Sequence, residues 1–225
     1  MSSERRALII GASRGLGLRL AKGYRERGWN VVATVRSPSA ASAPGPGIET
    51  LTLDVTKPDE IAGARQRLEG RRFDLVFANA GISLGHGDTL AKATTDDFVQ
   101  IMVTNALGPM RCLEAFAPLV KERGTLAAMS SGLGSVANNE TGGWEVYRAS
   151  KAALNMLVRS FAARHAGEGK TILAVCPGWS RTEMGGPEAP LDPDDSVRGV
   201  IATLDTHAGS GRHAYVDYRG EIVPW

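Results

Sequence analysis

Short apolar runs alternate with longer stretches of helical periodicity almost from one end of this chain to the other. Ala7–Ile10, Val31–Val35, Ile48–Leu53, Phe73–Ala78, Thr125–Met129, Thr171–Cys176 and His213–Val216 are brief runs bounded by turn residues. Most are too continuously apolar to have a wet face, which predicts strands covered on both sides. Between them, apolar residues recur every three or four positions. Residues 15–27 carry Leu16, Leu20 and Tyr24 on one stripe, and residues 147–166 carry Tyr147, Lys151, Leu154, Val158 and Phe161. Further helices are predicted over 58–69, 94–120 and 193–206. Strands and helices in this alternation predict an α/β fold, a parallel sheet of about seven strands with helices on both faces.

There is no internal repeat and no break in the pattern, so residues 1–225 read as one doubly wound domain of the Rossmann kind. One segment departs from it. Ser37 to Gly47 holds three prolines and two glycines, so the helix normally placed between the second and third strands is expected to be missing or reduced to a turn. Asn105 and Pro109 mark a second irregularity, inside the long helix over 94–120. An α-helix would bond the N–H of residue 109 to the carbonyl of residue 105, but proline has no N–H. A kink and a free Asn105 carbonyl, able to hold water, are expected there.

Composition narrows the classes of function. With 43% hydrophobic and 22% charged residues the chain is an ordinary globular sequence, and its net charge of +2 gives no basic surface for a nucleic acid. No run approaches the ~20 apolar residues of a membrane span, and the N-terminal apolar run ends at Gly11, too short for a signal peptide. A cytoplasmic protein is expected. Cys112 and Cys176 lie far apart in apolar contexts and read as reduced core residues, a disulfide being the less favoured option. Neither the cysteines nor the four histidines have metal-ligand spacing, so no metal is expected. A serine-hydrolase elbow with a plausible base is absent.

The chemistry begins at Gly11-Ala12-Ser13-Arg14-Gly15-Leu16-Gly17, between the first strand and the first helix. Glycines there permit a tight turn and let backbone N–H groups approach a pyrophosphate at a helix N-terminus. The contact set is taken as Gly11, Ser13, Arg14, Gly15, Leu16 and Gly17. An acid that would bind a ribose 2′-hydroxyl is missing, because Val35 ends the second strand and Arg36 follows. Arg14 and Arg36 could instead clamp a 2′-phosphate; two solvated surface arginines are the plainer alternative. NADP(H) is therefore favoured over NAD(H). On a later helix Tyr147 and Lys151 stand four residues apart, hence on one face. A tyrosine, with an ordinary pKa of about 10, becomes a usable proton-transfer group if a cation lowers it.

The G-x-x-x-G-x-G spacing, Asn79-Ala80-Gly81, Asp54, Asn105, Ser131, Tyr147, Lys151 and Pro177-Gly178-Trp179-Ser180-Arg181-Thr182 occur in an order that resembles the short-chain dehydrogenase/reductase family. The Tyr-Arg-x-Ser-Lys form and the ending Gly220-Glu221-Ile222-Val223-Pro224-Trp225 look most like its small C-factor-like members. The resemblance implies hydride transfer between a nicotinamide cofactor and a carbonyl or alcohol. It makes Tyr147 the general acid/base and gives Lys151 to the cofactor ribose. Ser131, rather than Ser130, stabilises the substrate oxygen, and Asn105 holds a relay water. It also implies Asp54 and Val55 at the adenine, Asn79, Ala80 and Gly81 along the adenosine ribose, and Pro177, Gly178 and Thr182 at the nicotinamide. A homodimer or homotetramer joined through the long central helices is the implied assembly.

The residues expected to line a substrate pocket are Leu84, Leu133, Val136, Trp144, Trp179 and Met184, with His86 near its mouth. Their apolar character suits a hydrophobic small molecule. Sixteen residues separate Ser131 from Tyr147, a few more than the family's usual spacing, and the loop over 133–145 must absorb them. The competing reading is a dinucleotide-binding signalling or sensor protein with little turnover.

Overall fold

The computed structural model describes residues 4–37, 44–83 and 89–225. Seven strands form one parallel sheet: β1 (Arg6–Ile10), β2 (Asn30–Val35), β3 (Ile48–Thr52), β4 (Phe73–Ala78), β5 (Val120–Met129), β6 (Thr171–Cys176) and β7 (His213–Asp217). Their order across the sheet is β3-β2-β1-β4-β5-β6-β7. The first three strands build outward from β1, and the chain then crosses to the other side of β1 to begin β4. The switch point between β1 and β4 is where such sheets leave a crevice for a ligand.

Alternation along each strand divides the core. Leu8 and Ile10 face one layer with Phe73, Phe116 and Phe161, whereas Ala7 and Ile9 face the other with Leu20, Tyr24 and Phe77. The second layer is covered by α1 (Gly15–Glu26) and, near the chain's end, α6 (Pro193–His207). On the first layer lie α2 (Pro58–Arg67), α4 (Gly108–Phe116) and α5 (Glu145–Arg164). Cys112 and Cys176 are buried and unpaired with each other. Among the described residues no helix is long and apolar enough to cross a membrane.

The predicted helix over 94–120 is four pieces, the last a 3-10 turn over Ala117–Leu119. After α3 (Thr95–Met102), opened by a Thr94–Asp97 capping box, the turn widens to a π-helix over Val103–Leu107, and α4 follows. Pro109 enters this stretch one residue after Gly108, whose N–H reaches the Val103 carbonyl. The irregularity at Pro109 thus takes the form of a widened turn. The helical stretch ends at Leu119, and β5 starts five residues earlier than the apolar run suggested. Val120 pairs with Phe73, the register then shifts, and Thr125 pairs with Leu75. Gly124 fits this bulge because a Cβ there would lie 3.1 Å from the Asp74 carbonyl oxygen. The middle of the proline-rich segment, 38–43, lies outside the described residues, as do Leu84 and His86.

Candidate active site

At the switch point β1 runs into a turn that only glycine can make. Gly11 has φ of 86°, and a Cβ on it would lie 2.8 Å from the Ala80 nitrogen. A Cβ on Gly17 would lie 2.2 Å from the Gly11 carbonyl oxygen and 2.4 Å from Asn79 Nδ2. Asn79, just past β4, donates from Nδ2 to that same Gly11 carbonyl at 2.8 Å. The two turns flanking the crevice are therefore pinned together. Gly15 takes φ of 59° with open space around its Cβ position. The first turn of α1 has neither a side-chain cap nor an acidic residue, so its N–H groups and positive dipole end are left for an anion. These features fit the pyrophosphate of a dinucleotide.

The expected clamp arginines are differently engaged. Arg14 Nη1 pairs with Glu183 Oε2 at 2.6 Å, with both side chains mostly in water; such a bridge contributes about 1 kcal/mol at most and exchanges readily. Arg36 is exposed at the end of β2. Burial works against the charge on Asp54, but the Thr56 N–H and hydroxyl, with Arg36 and Lys57 nearby, hold its pKa below the usual carboxylate value. Val55 is buried beside Gly108.

Beyond β6, Gly178 takes φ of 76°, and a Cβ would strike Leu191 and Tyr218. The Pro177 carbonyl is anchored by the Ser196 hydroxyl at 2.6 Å. Thr182 closes a short turn, its hydroxyl accepting from the Gly185 N–H at 3.1 Å. Within this segment the Ser180 hydroxyl is buried without a hydrogen-bond partner among the described residues, a group that a bound polar ligand could satisfy.

Tyr147 and Lys151 enter on the first turns of α5. Lys151 is 2% exposed, and its Nζ lies 5.8 Å from the Tyr147 ring centre while donating to the Met129 carbonyl at 2.9 Å. A Cβ on Gly81 would lie 3.4 Å from Lys151 Nζ and 3.5 Å from Asn105 Oδ1, so these three residues surround one point. Burial lowers the Lys151 pKa to about 8. For Tyr147 the electrostatic expectation is reversed. Burial raises its pKa to about 12, and the Ser131 hydroxyl only partly offsets this. The Lys151 ammonium donates to the Met129 carbonyl and stands 5.8 Å from the phenol ring.

The Asn105 side chain is fully employed as a brace. Oδ1 accepts from the Ile82 N–H at 2.8 Å, and Nδ2 donates to the Ile82 carbonyl at 2.8 Å and to Ser150 Oγ at 3.0 Å. Ser150 in turn donates to the Tyr147 carbonyl at 2.7 Å. The loop after β4 and the start of α5 are thereby fixed to each other.

A second buried network holds Ser131. Ser130 Oγ donates to Asn155 Oδ1 at 2.6 Å, Asn155 Nδ2 donates to the Gly134 carbonyl at 3.1 Å, and the Tyr215 hydroxyl donates to the Ser131 carbonyl. Ser150, Asn155 and Tyr215 were missed from the sequence. The available signal was a polar residue on an apolar stripe, since Asn155 continues the 147, 151 spacing.

Comparison with known proteins agrees with this geometry. The family model for short chain dehydrogenases matches residues 5–190. C-signal of Myxococcus xanthus is 39% identical over 154 residues, covering 68% of this chain and 92% of that one. A Burkholderia multivorans protein assigned to the short-chain dehydrogenase/reductase class, solved with bound NADP, superposes with a TM-score of 0.95 at 45% identity, covering 99% of this chain and 100% of that one. A carbonyl reductase from Pseudomonas aeruginosa PAO1 in complex with NADP gives 0.89 at 36%, with the same coverage. This chain belongs to the short-chain dehydrogenase/reductase family of oxidoreductases.

Proposed function

We propose that the protein is an NADP(H)-dependent carbonyl reductase, or an alcohol dehydrogenase in the reverse direction, acting on a small apolar substrate. The observation that carries this reading is the placement of the Tyr147 phenol beside the Ser131 hydroxyl, just past the carboxyl end of β5, with Lys151 Nζ 5.8 Å from its ring. When bound, the nicotinamide supplies the hydride. The protein's part is the proton and the charge. Tyr147 donates its hydroxyl proton to the oxygen of the former carbonyl, and the Ser131 hydroxyl stabilises the negative charge developing there. A raised phenol pKa suits this direction, because the acid form is present throughout the physiological range.

Lys151 would hold the cofactor ribose, exchanging the Met129 carbonyl for its hydroxyls, and the Asn105 main-chain carbonyl would hold the water that refills the tyrosine. Gly11, Ser13, Arg14, Gly15, Leu16 and Gly17 would hold the pyrophosphate and the 2′-phosphate end. Asp54, Val55, Asn79, Ala80 and Gly81 would line the adenosine, and Pro177, Gly178 and Thr182 the nicotinamide. Relatives solved with NADP support the choice of cofactor. Met156 and Leu157, exposed on α5, suit a homo-oligomer paired through that helix. The relative named C-signal favours a second reading, a dinucleotide-binding signalling protein, which predicts cofactor binding without turnover.

Tyr147→Phe separates the two. With NADPH and a panel of aldehydes and ketones, kcat should fall at least ~100-fold while the Kd for NADPH, measured by fluorescence titration, changes little. An active phenylalanine variant would remove the proposed donor, and an inactive wild type would favour the signalling reading. Cofactor choice is tested separately. Arg14→Ala and Arg36→Ala should each weaken NADPH about tenfold, as expected for loss of a charge-assisted contact, with NADH nearly unaffected. Equal weakening of both cofactors would exclude a 2′-phosphate clamp.

A further inference from the structure

Trp144 is the only residue other than glycine with a positive φ among the described residues, at φ 52° and ψ 36°. Gly142 and Gly143 before it also take positive φ, 65° and 66°. The chain thus makes three consecutive left-handed steps into α5. For a residue carrying a Cβ this conformation is disfavoured, because Cβ crowds the following carbonyl oxygen. Glycine would continue the turn with less strain. The fold instead holds an indole there, and retained strain of this kind clusters at functional sites.

What the strain achieves is placement. The indole stands 6.1 Å from the Tyr147 ring at an interplanar angle of 66°, an edge-to-face arrangement. Its flanks are tied down: Arg148 Nε donates to the Gly143 carbonyl at 2.9 Å, and Glu145 accepts from the Leu90 N–H at 2.7 Å. Three large apolar side chains are exposed in the loops beyond the ends of β5 and β6. Val136 follows β5 at 72% exposure, and Trp179 and Met184 follow β6 at 51% and 43%. Apolar surface collected at the end of the sheet that carries the proton donor points to an apolar ligand.

Resting on the carbonyl-reductase reading above, we propose that Trp144 determines substrate specificity, and that the substrates it selects carry a flat apolar group, an aryl ring or fused rings, on the carbonyl carbon. With the carbonyl oxygen toward Tyr147 and Ser131, such a group lies against the indole. A small aliphatic carbonyl makes the same polar contacts and gains little from it.

The test compares Trp144→Gly and Trp144→Ala with the wild type, using 2-acetylnaphthalene and butanal as paired substrates with NADPH. Both variants lose the indole, and only glycine relieves the backbone. The ratio of kcat/KM for the aryl ketone to that for butanal should fall at least tenfold in both. The glycine variant should melt above the alanine variant by roughly 2–4 °C for a domain of this size. An unchanged ratio in both variants overturns the proposal. So does a glycine variant that melts as low as the alanine variant and well below wild type, which would make the indole a packing residue.

If the wild type reduces neither substrate, the carbonyl-reductase reading fails by itself. Trp144 is then judged by calorimetric binding of 2-acetylnaphthalene to the NADPH-loaded protein. Loss of binding in the glycine variant sustains the proposal, and retained binding overturns it.

Discussion

Lys151 carries its charge where almost no water reaches it. Its ammonium has the Met129 carbonyl as acceptor, and burial still lowers its pKa from 10.5 to about 8. The folded state therefore disfavours the charged form, and this sets a pH dependence. Below about pH 8 the lysine is charged in both folded and unfolded chains, and the full penalty applies. As pH rises from about 8 toward 10, the folded protein releases a proton that the unfolded chain keeps, so stability rises. Lys151→Met removes the charge at similar volume. It should be more stable than wild type at pH 7 by up to about 3 kcal/mol in urea denaturation, and the difference should shrink between pH 8 and 10. A difference independent of pH would mean that the ammonium is solvated in solution. Above pH 10 the raised pKa of Tyr147 acts in the opposite sense, since the unfolded chain then loses its phenol proton first. The site thus retains a buried cation and a proton-holding phenol that an inert core would lack.

At the scale of elements, the crossing of β1, α1 and β4 depends on backbone atoms that nearly touch. Gly17 is the tightest point, since a methyl group there would meet the Gly11 carbonyl oxygen and the Asn79 amide, both fixed by their mutual hydrogen bond. Gly17→Ala should cost about 2 kcal/mol as overpacking and weaken NADPH binding as well, because α1 must move off the crevice. Gly23, on the same helix, is the control. A methyl there meets the side-chain end of Ile201 at 2.8 Å and no backbone atom, so Gly23→Ala should cost less than Gly17→Ala, with helix propensity offsetting up to about 1 kcal/mol. Comparable losses in both variants, read by thermal melting, would show that the close approach at Gly17 is not what limits this position. The divided helix over 95–116 belongs to this scale too. Pro109 announced an irregularity in the sequence, but proline chemistry alone does not choose between a kink and a π-turn. The choice depends on what the displaced turn touches, here Asn105 turned inward against Ile82 and Ser150.

Across the whole molecule, the strand order carries the site together. Gly11, Asn79 and Ser131 follow β1, β4 and β5, which are adjacent in the sheet, so segments 120 residues apart converge on one crevice. Periodicity placed every strand and nearly every helix, because strands buried on both faces leave continuous apolar runs and helices leave a stripe. Among the boundaries that moved, two are instructive. The start of β5 is hidden in the polar stretch Lys121-Glu122-Arg123, which pairs through a bulge, and α5 begins two residues early at Glu145. Both depend on contacts with distant chain. The glycine turn and the Tyr147–Lys151 pair could be read from spacing, since both are local devices. By themselves, then, the residues determined the layered α/β architecture, the glycine turn after the first strand and the Tyr147–Lys151 pair on one helix face. Only the tertiary structure decided the protonation tendencies of Tyr147 and Lys151, the engagement of Arg14 by Glu183, the bracing roles of Ser150, Asn155 and Tyr215, and the left-handed seat of Trp144. Burial, charge pairing and backbone strain arise between segments that are neighbours in space and not in the chain, and no local pattern encodes them.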